Sequence, residues 1–171
     1  MPNTLVLPTD IRTLSNEALL DFFKENKEPA FRAKQVQEWL WKKSAYDFDQ
    51  MTNLSQKLRE LLKESYSIRP AKVDNFQKSN DGTVKSAFKL FDGHVVEGVL
   101  IPTDSRMTAC ISSQVGCSLS CKFCATGYMD RKRNLEAAEI YDQVVAIRNQ
   151  AELLYQQPLT NIVFMGMGEP L

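Results

Sequence analysis

The stretch that decides the fold runs from Arg106 to Cys124 and reads RMTACISSQVGCSLSCKFC. Residues Thr108 to Ser112 have the character of a short strand, and the loop from Gln114 to Arg133 that follows holds three cysteines. An amphipathic helix over Leu135 to Ala151 and a buried-type strand over Asn161 to Met165 come next. A strand, loop, helix and strand in this order predict a parallel sheet with its ligand at the carboxyl ends of the strands. The predicted fold class is therefore α/β.

The loop cysteines Cys117, Cys121 and Cys124 form the pattern C-x-x-x-C-x-x-C. Three is an odd number, which disfavours a disulfide framework in a reducing compartment. Structural zinc normally takes four ligands; Cys110 could be the fourth, but the chain has no second C-x-x-C pair, and its only histidine, His94, lies beside a turn. Three thiolates on an iron–sulfur cluster leave one iron open to a substrate. The pattern favours a cluster, with zinc as the alternative.

The composition excludes several classes of protein. A hydrophobic fraction of 43% with 25% charged residues is typical of a globular domain and excludes a disordered or collagen-like chain. The apolar runs are too short to span a membrane, and the N-terminus lacks the pattern of a secretory signal, so we expect a cytoplasmic protein. The 21 Lys and Arg residues balance the 21 Asp and Glu residues, which excludes a strong global attraction to nucleic acid but allows a local basic patch.

The first 70 residues are predicted to form a small helical domain. Ser15 is a good N-cap for a first helix, and a second helix is expected from about Ala30 to Lys43. A third helix is expected to start near Asn53 or Ser55 and to end before Arg69-Pro70.

Residues 71–104 are predicted to form a β-hairpin linker. The segment from Thr83 to Phe91 alternates, and Asp92-Gly93 is a strong turn signal. On the return strand, Glu97 shares a face with Val95, Val99 and Ile101. A carboxylate is unusual on an otherwise apolar face. Glu97 has either a cross-strand partner or a buried position that raises its pKa into a range useful for proton transfer.

Further segments combine with the cysteine pattern into a specific signature: Pro29–Gln35, Trp39–Trp41, Met51–Ser55, Arg106–Cys117, Phe123–Gly127, Arg133–Leu135, Glu139–Ile140 and Gly166–Leu171. This combination resembles the RlmN/Cfr family of radical S-adenosylmethionine (SAM) RNA methyltransferases. The resemblance covers nearly the whole chain. It implies that residues 1–70 are a helical accessory domain that binds RNA, and that residues 105–171 begin a radical SAM partial (β/α) barrel.

The resemblance implies a 4Fe-4S cluster held by Cys117, Cys121 and Cys124, whose open iron binds SAM. Phe123, Gly168 and Glu169 match cofactor-binding positions, and Glu169 would receive the amino group of the methionine part of SAM. One electron from the cluster would then release a 5′-deoxyadenosyl radical. The chemistry of a carboxylate beside an ammonium and of a glycine at a close approach suits this arrangement.

The resemblance also implies how the methyl group moves. A cysteine near the C-terminus carries it and delivers it to C2 of an adenosine in 23S rRNA, at the peptidyl-transferase centre, or in tRNA, 3′ of the anticodon. Cys110 matches a second catalytic cysteine that resolves the protein–RNA adduct, and Glu97 matches a proton acceptor. An electron-donor protein is an implied partner, and a disulfide bond is an implied feature.

Plainer interpretations of these residues stay open. Cys110 could be a small buried hydrophobic residue of a strand, and Glu169-Pro170 could be a polar turn. The basic run from Arg131 to Arg133 favours contact with RNA phosphates, whereas Lys42 and Lys43 fit the solvated end of a helix.

The chain is expected to stop short of a complete barrel. Leu171 falls directly after the second predicted barrel strand, whereas a full (β/α)₈ barrel takes about 250 residues. We therefore expect a fragment without the methyl-carrying cysteine, inactive alone, with open strand edges. Two rival functions remain: a Cfr-type methyltransferase that acts on C8 of the adenine, and a non-catalytic RNA-binding module stabilised by zinc.

Overall fold

Two compact units, one ending at Arg69 and the other beginning at Pro70, make up the protein in the computed structural model. The structure describes residues 8–169. The last two residues of the Gly166–Leu171 signature, and the N-terminal residues used to judge a secretory signal, lie outside this range. Within it, no helix is long and apolar enough to cross a lipid bilayer.

In its described part, the first unit contains three α-helices, α1 (Asn16–Glu25), α2 (Phe31–Trp41) and α3 (Gln56–Ser65). The Ser15 hydroxyl caps α1, as predicted, by accepting a hydrogen bond from the Ala18 amide at 3.1 Å. Ser55 caps α3 in the same way. The helices pack around a common apolar core, whose members include Leu19, Phe23, Val36, Leu40, Met51, Leu58 and Leu62.

As far as Glu169, the second unit combines seven strands with one long helix. Their bounds are β1 (Lys72–Lys78), β2 (Val84–Lys89), β3 (Val95–Pro102), β4 (Met107–Cys110), β5 (Gln114–Val115), β6 (Arg133–Asn134), α4 (Ala137–Tyr155) and β7 (Asn161–Val163). Five strands form one sheet in the order β1-β2-β3-β4-β7, and β5 pairs with β6. The pairs from β1 to β4 are antiparallel, whereas β4 and β7 are parallel. The predicted α/β class is confirmed.

The strands predicted as a linker are continuous with this sheet. β3 pairs directly with β4, so the hairpin belongs to the same layer as the two predicted barrel strands. β1 was not predicted from the sequence, because its residues are all exposed and therefore show no apolar alternation. The second unit consequently starts at Pro70 rather than at the cysteine-containing region.

One face of the sheet packs against α4 and forms the core of the second unit. Val84, Ser86 and Phe88 of β2 are fully buried on this face, as their alternation indicates. Ile147 and Ala151 of α4 are fully buried among them. The helix extends beyond the predicted Ala151 to Tyr155, where Gln156 adopts a left-handed conformation with φ 53°.

The Asn161–Met165 segment has the composition of a buried strand, but it is exposed and forms the open strand edge that was also expected. β7 is three residues long and lies at one edge of the sheet, with Ile162 50% exposed. Phe164 and Met165, just after it, are 52% and 79% exposed. Because an edge strand lacks a neighbour on one side, its apolar composition does not by itself produce burial.

Candidate functional site

The cysteine loop is closed at its base by the two-stranded β5–β6 pair. Gln114 pairs with Asn134 and Val115 with Arg133, and the Lys132 amide donates to the Val115 carbonyl at 2.8 Å. Within the loop, a 3₁₀ turn over Ala125–Tyr128 follows the last cysteine. The backbone therefore holds the ends of the loop together while its cysteines remain near the surface.

All three loop cysteines are free thiols with partly exposed side chains. Amide hydrogen bonds from Gly127 and Thr126 lower the pKa of the Cys124 thiol, because they stabilise its thiolate. Cys117 accepts a hydrogen bond from the Leu119 amide at 3.4 Å. Phe123, predicted to contact the cofactor, is 94% exposed.

The donor set fits a thiolate-bound cluster in its chemistry. Three accessible thiols, one of them with a lowered pKa, are the ligands that iron–sulfur clusters take. Among residues 8–169, however, no three Cys, His, Asp or Glu side chains are gathered closely enough to hold a metal ion. The loop thus supplies the right ligands without a preassembled coordination shell.

Cys110 ends β4 just before the cysteine loop, and it is buried with 8% exposure. Burial raises the pKa of its thiol, against a smaller opposite effect of the Met165 amide. Cys110 pairs across the strands with Val99 of β3. Cross-strand partners share a face, and so do residues two apart on one strand, which places Glu97 on the same face as Cys110.

The face that carries Glu97 is the one opposite α4. The buried residues of β3 are Val96, Gly98 and Leu100, whereas Glu97 is exposed. Its carboxylate forms an ion pair with Lys85 of β2 at 2.8 Å. Of the two explanations offered for Glu97, the structure therefore supports the cross-strand partner, and the buried carboxylate was wrong.

Gly168 and Glu169 lie in a loop that follows β7 and returns to the start of the cysteine loop. Gly168 has a φ of 99°, and a Cβ atom there would lie 2.5 Å from the Cβ of Gln114. The Glu169 amide donates to the side chain of Gln114 at 3.2 Å, and the Met167 carbonyl accepts from the Ser113 amide at 2.9 Å. Only glycine fits this close approach.

Sequence reasoning missed a buried polar pair, Ser112 and Gln143, at the centre of this region. Both side chains are fully buried, and Gln143 of α4 hydrogen-bonds to the backbone of Ser112. A signal was present in the sequence, because Gln143 stands between Ile140 and Ile147 on the apolar stripe of the helix. A polar side chain in that position requires buried hydrogen-bond partners.

Arg133 was expected to contact RNA, but its side chain binds other residues of the protein. Its guanidinium binds the Glu139 carboxylate in a bidentate manner, at 2.7 and 2.8 Å, and Asp92 at 2.7 Å. It therefore ties the β2–β3 turn to the start of α4. Arg131 bonds to the Asn134 side chain and Lys132 lies 3.6 Å from Asp130, and these two basic side chains remain at the exposed surface.

The implied disulfide bond is not supported by the described residues. Cys110 and the three loop cysteines are all free.

The first unit and the chain as a whole both have counterparts among known proteins. Residues 9–68 match the family model of the ribosomal RNA large subunit methyltransferase N-terminal domain. A protein of Cytophaga hutchinsonii, named probable dual-specificity RNA methyltransferase RlmN, is 68% identical over 161 residues, covering 94% of this chain and 44% of that protein. A protein of the same name from Flavobacterium psychrophilum is 59% identical over 162 residues, covering 95% of this chain and 47% of that protein.

A solved structure resembles this fold along nearly the whole chain. It is the crystal structure of a radical SAM methyltransferase from Sphaerobacter thermophilus, with a TM-score of 0.81 and 39% sequence identity over 95% of this chain and 48% of that one. The chain thus spans a little less than half the length of the proteins it matches. By its sequence and its fold, the chain belongs to the RlmN family of radical SAM methyltransferases.

Proposed function

We propose that the protein is a radical SAM RNA methyltransferase that methylates C2 of adenosine in 23S rRNA and in tRNA through a methyl-cysteine carrier. The observation that carries the proposal is the arrangement around β4. This strand places Cys110 on one face with Glu97 and leads directly into the three-cysteine loop. The names of the relatives support RNA as the substrate class.

The proposed cofactors are a 4Fe-4S cluster and SAM. Cys117, Cys121 and Cys124 would hold the cluster, which when bound supplies the electron that cleaves the sulfonium of SAM. Gly168 and Glu169 would receive the methionine part of SAM, since the backbone of this loop is hydrogen-bonded to the start of the cysteine loop. Phe123 is the proposed third cofactor contact, on the exposed side of the loop.

The proposed catalytic residues act on the RNA rather than on the cofactor. Cys110 would help to resolve a covalent adduct between the protein and the adenine. Glu97 would accept the proton lost from C2. Burial raises the pKa of the Cys110 thiol, which favours the thiol over the thiolate.

We further propose that the helical unit, with its match to an RNA methyltransferase N-terminal domain, binds the RNA. An electron-donor protein is the other expected partner, and the cytoplasm is the proposed compartment. An enzyme that acts on a base in structured RNA must first expose that base.

The test is an analysis of the reaction product. The full natural protein is loaded with iron and sulfide under anaerobic conditions and incubated with SAM, a reductant and either a 23S rRNA fragment or tRNA. Digestion and mass spectrometry of the nucleosides should show 2-methyladenosine. The appearance of 8-methyladenosine without the C2 product would instead identify a Cfr-type enzyme, and no methylation of either RNA would contradict the proposal.

A further inference from the structure

The hydroxyl of Ser112 joins two segments of the proposed active site. It donates a hydrogen bond to the carbonyl of Glu97 at 2.5 Å and accepts one from the amide of Met167 at 2.8 Å. Glu97 is the proposed proton acceptor on β3, and Met167 directly precedes Gly168 and Glu169. One buried hydroxyl is therefore bonded at once to the proton-acceptor strand and to the proposed SAM-binding loop.

The side chain of Gln143, on α4, fixes the position of the Ser112 backbone. Its side-chain oxygen accepts from the Ser112 amide at 2.9 Å, and its side-chain nitrogen donates to the Ser112 carbonyl at 3.2 Å. The same nitrogen also donates to the Glu139 carbonyl within α4 at 3.2 Å. The peptide of Ser112 is thus held on both edges by one fully buried side chain.

We propose that Ser112, held by Gln143, is a positioning residue that sets the affinity for SAM by fixing the Gly166–Glu169 loop against β3 and β4. The inference rests on the proposed function, because it takes this loop as the SAM site. Ser112 touches neither SAM nor RNA in this role. It acts through the backbone of Met167 and Glu97.

The physical basis is the cost of an unpaired polar group in a dry interior. Removing the hydroxyl leaves the buried Met167 amide without this acceptor, and the loop must shift to find another. A displacement of the loop moves Glu169, whose own amide is fixed to Gln114. A polar network with every member paired is rigid, and losing one member loosens the rest.

Ser86 provides a matched control. It is a fully buried serine of β2 whose hydroxyl bonds to the side chain of Gln150 of α4 at 2.8 Å, whereas Gln143 bonds to the backbone of Ser112. Unlike Ser112, it lies on β2 and has no contact with the Gly166–Glu169 loop among its hydrogen bonds. Ser86→Ala therefore shows the effect of removing a buried serine hydroxyl that does not bond to this loop.

The experiment measures the dissociation constant of SAM for the full natural protein, loaded anaerobically, with iron content determined for each variant. We expect Ser112→Ala to raise this constant about tenfold at unchanged iron content, and Gln143→Met to raise it in the same direction. Ser86→Ala should bind SAM like the wild type. In hydrogen exchange of the unloaded protein, the Met167 amide should exchange faster in Ser112→Ala, with the Thr160 amide, bonded to Met107, as the unchanged reference.

Unchanged SAM binding by Ser112→Ala, or an equal loss in Ser86→Ala, would overturn the inference. Glu169→Gln separates this result from a failure of the proposed function. If Glu169→Gln weakens SAM binding and Ser112→Ala does not, only the positioning role falls, whereas a wild-type protein that does not bind SAM overturns both. If Ser112→Ala does not fold, Ser112→Cys, which keeps a weak donor and acceptor, is carried through the same titration.

Discussion

Glu97 and Cys110 lie on the same face of one sheet, on neighbouring antiparallel strands. Cys110 pairs with Val99, two residues beyond Glu97, and the Glu97 carbonyl accepts a hydrogen bond from Ser112, two residues beyond Cys110. The two side chains are therefore diagonal neighbours, a relationship that corresponds to about 7–8 Å in antiparallel pairs. They differ sharply in environment, since Cys110 is buried and Glu97 is exposed beside Lys85.

The first prediction concerns metal uptake by the loop. Replacing Cys117, Cys121 or Cys124 with alanine should abolish incorporation of iron and sulfide, because a cluster with three protein ligands cannot lose one and stay bound. Iron and acid-labile sulfide per chain are measured after anaerobic reconstitution, with Cys110→Ala as the control that retains both. One zinc per chain that depends on Cys110, with no iron uptake, would favour the zinc-stabilised module instead.

The second prediction separates the catalytic from the packing role of Cys110. Cys110→Ala should keep the iron content but lose turnover in the full natural protein, because no thiol remains to resolve the adduct. Methyl incorporation into RNA is the measurement, and Val99→Ala on the paired strand is the control for altered packing on this face. A fully active Cys110→Ala enzyme would show that Cys110 serves only in packing.

The third prediction compares two glycines with similar backbone angles. Gly93 has a φ of 86° with open space around it, whereas Gly168 has a φ of 99° and lies against Gln114. Gly93→Ala should therefore lower the free energy of unfolding by about 1 kcal/mol, from backbone strain alone. Gly168→Ala should cost about 2–4 kcal/mol, because a steric clash adds to the strain. Denaturant unfolding measures both, and equal costs would contradict the close approach at Gly168.

The fourth prediction concerns the pH dependence of the Asp92–Arg133 ion pair. Burial alone would raise the pKa of the Asp92 carboxyl, but hydrogen bonds from Arg133 and the His94 amide outweigh it and lower the pKa. A lowered folded-state pKa stabilises the fold above about pH 4, and this contribution disappears as the pH falls through the folded-state value.

Asp92→Asn should accordingly cost up to about 1 kcal/mol at pH 7, a modest figure because the pair is about one-third exposed. The difference from the wild type should shrink at pH 3. Unfolding in urea at the two pH values measures it. Asp130→Asn is the control, since this carboxylate is 92% exposed and 3.6 Å from Lys132. A constant difference at both pH values would show that charge is not the cause.

The fifth prediction distinguishes RNA contact from structural support in the basic run. Arg131→Ala should weaken RNA binding and reduce the salt dependence of affinity by about one phosphate contact, since its side chain is exposed. Arg133→Ala should instead lower stability, because it leaves Glu139 and Asp92 without their shared partner. Affinity at several salt concentrations and thermal unfolding separate the two. An unchanged stability of Arg133→Ala would argue against its structural role.

Local sequence patterns were sufficient to predict most of the helices and strands, and they indicated the type of chemistry. The cap at Ser15, the buried face of Val84, Ser86 and Phe88, and the parallel partner of the first barrel strand all follow from local periodicity and turn residues. These signals act over a few residues, where propensity and alternation are strong. The cysteine spacing indicated a cluster, and in combination with the flanking segments it indicated the family.

Long-range packing determines which side chains meet and which faces of the elements are covered. Burial of a strand depends on its place in the sheet, so β7 is exposed at the sheet edge despite its apolar composition. The partners of Glu97 and Arg133 lie on other elements. The order of charged residues along the chain does not show which of them pair after folding. The bonds from Ser112 to Glu97 and Met167 exist because folding brings three distant segments within hydrogen-bond distance and excludes water around them, which no local pattern encodes.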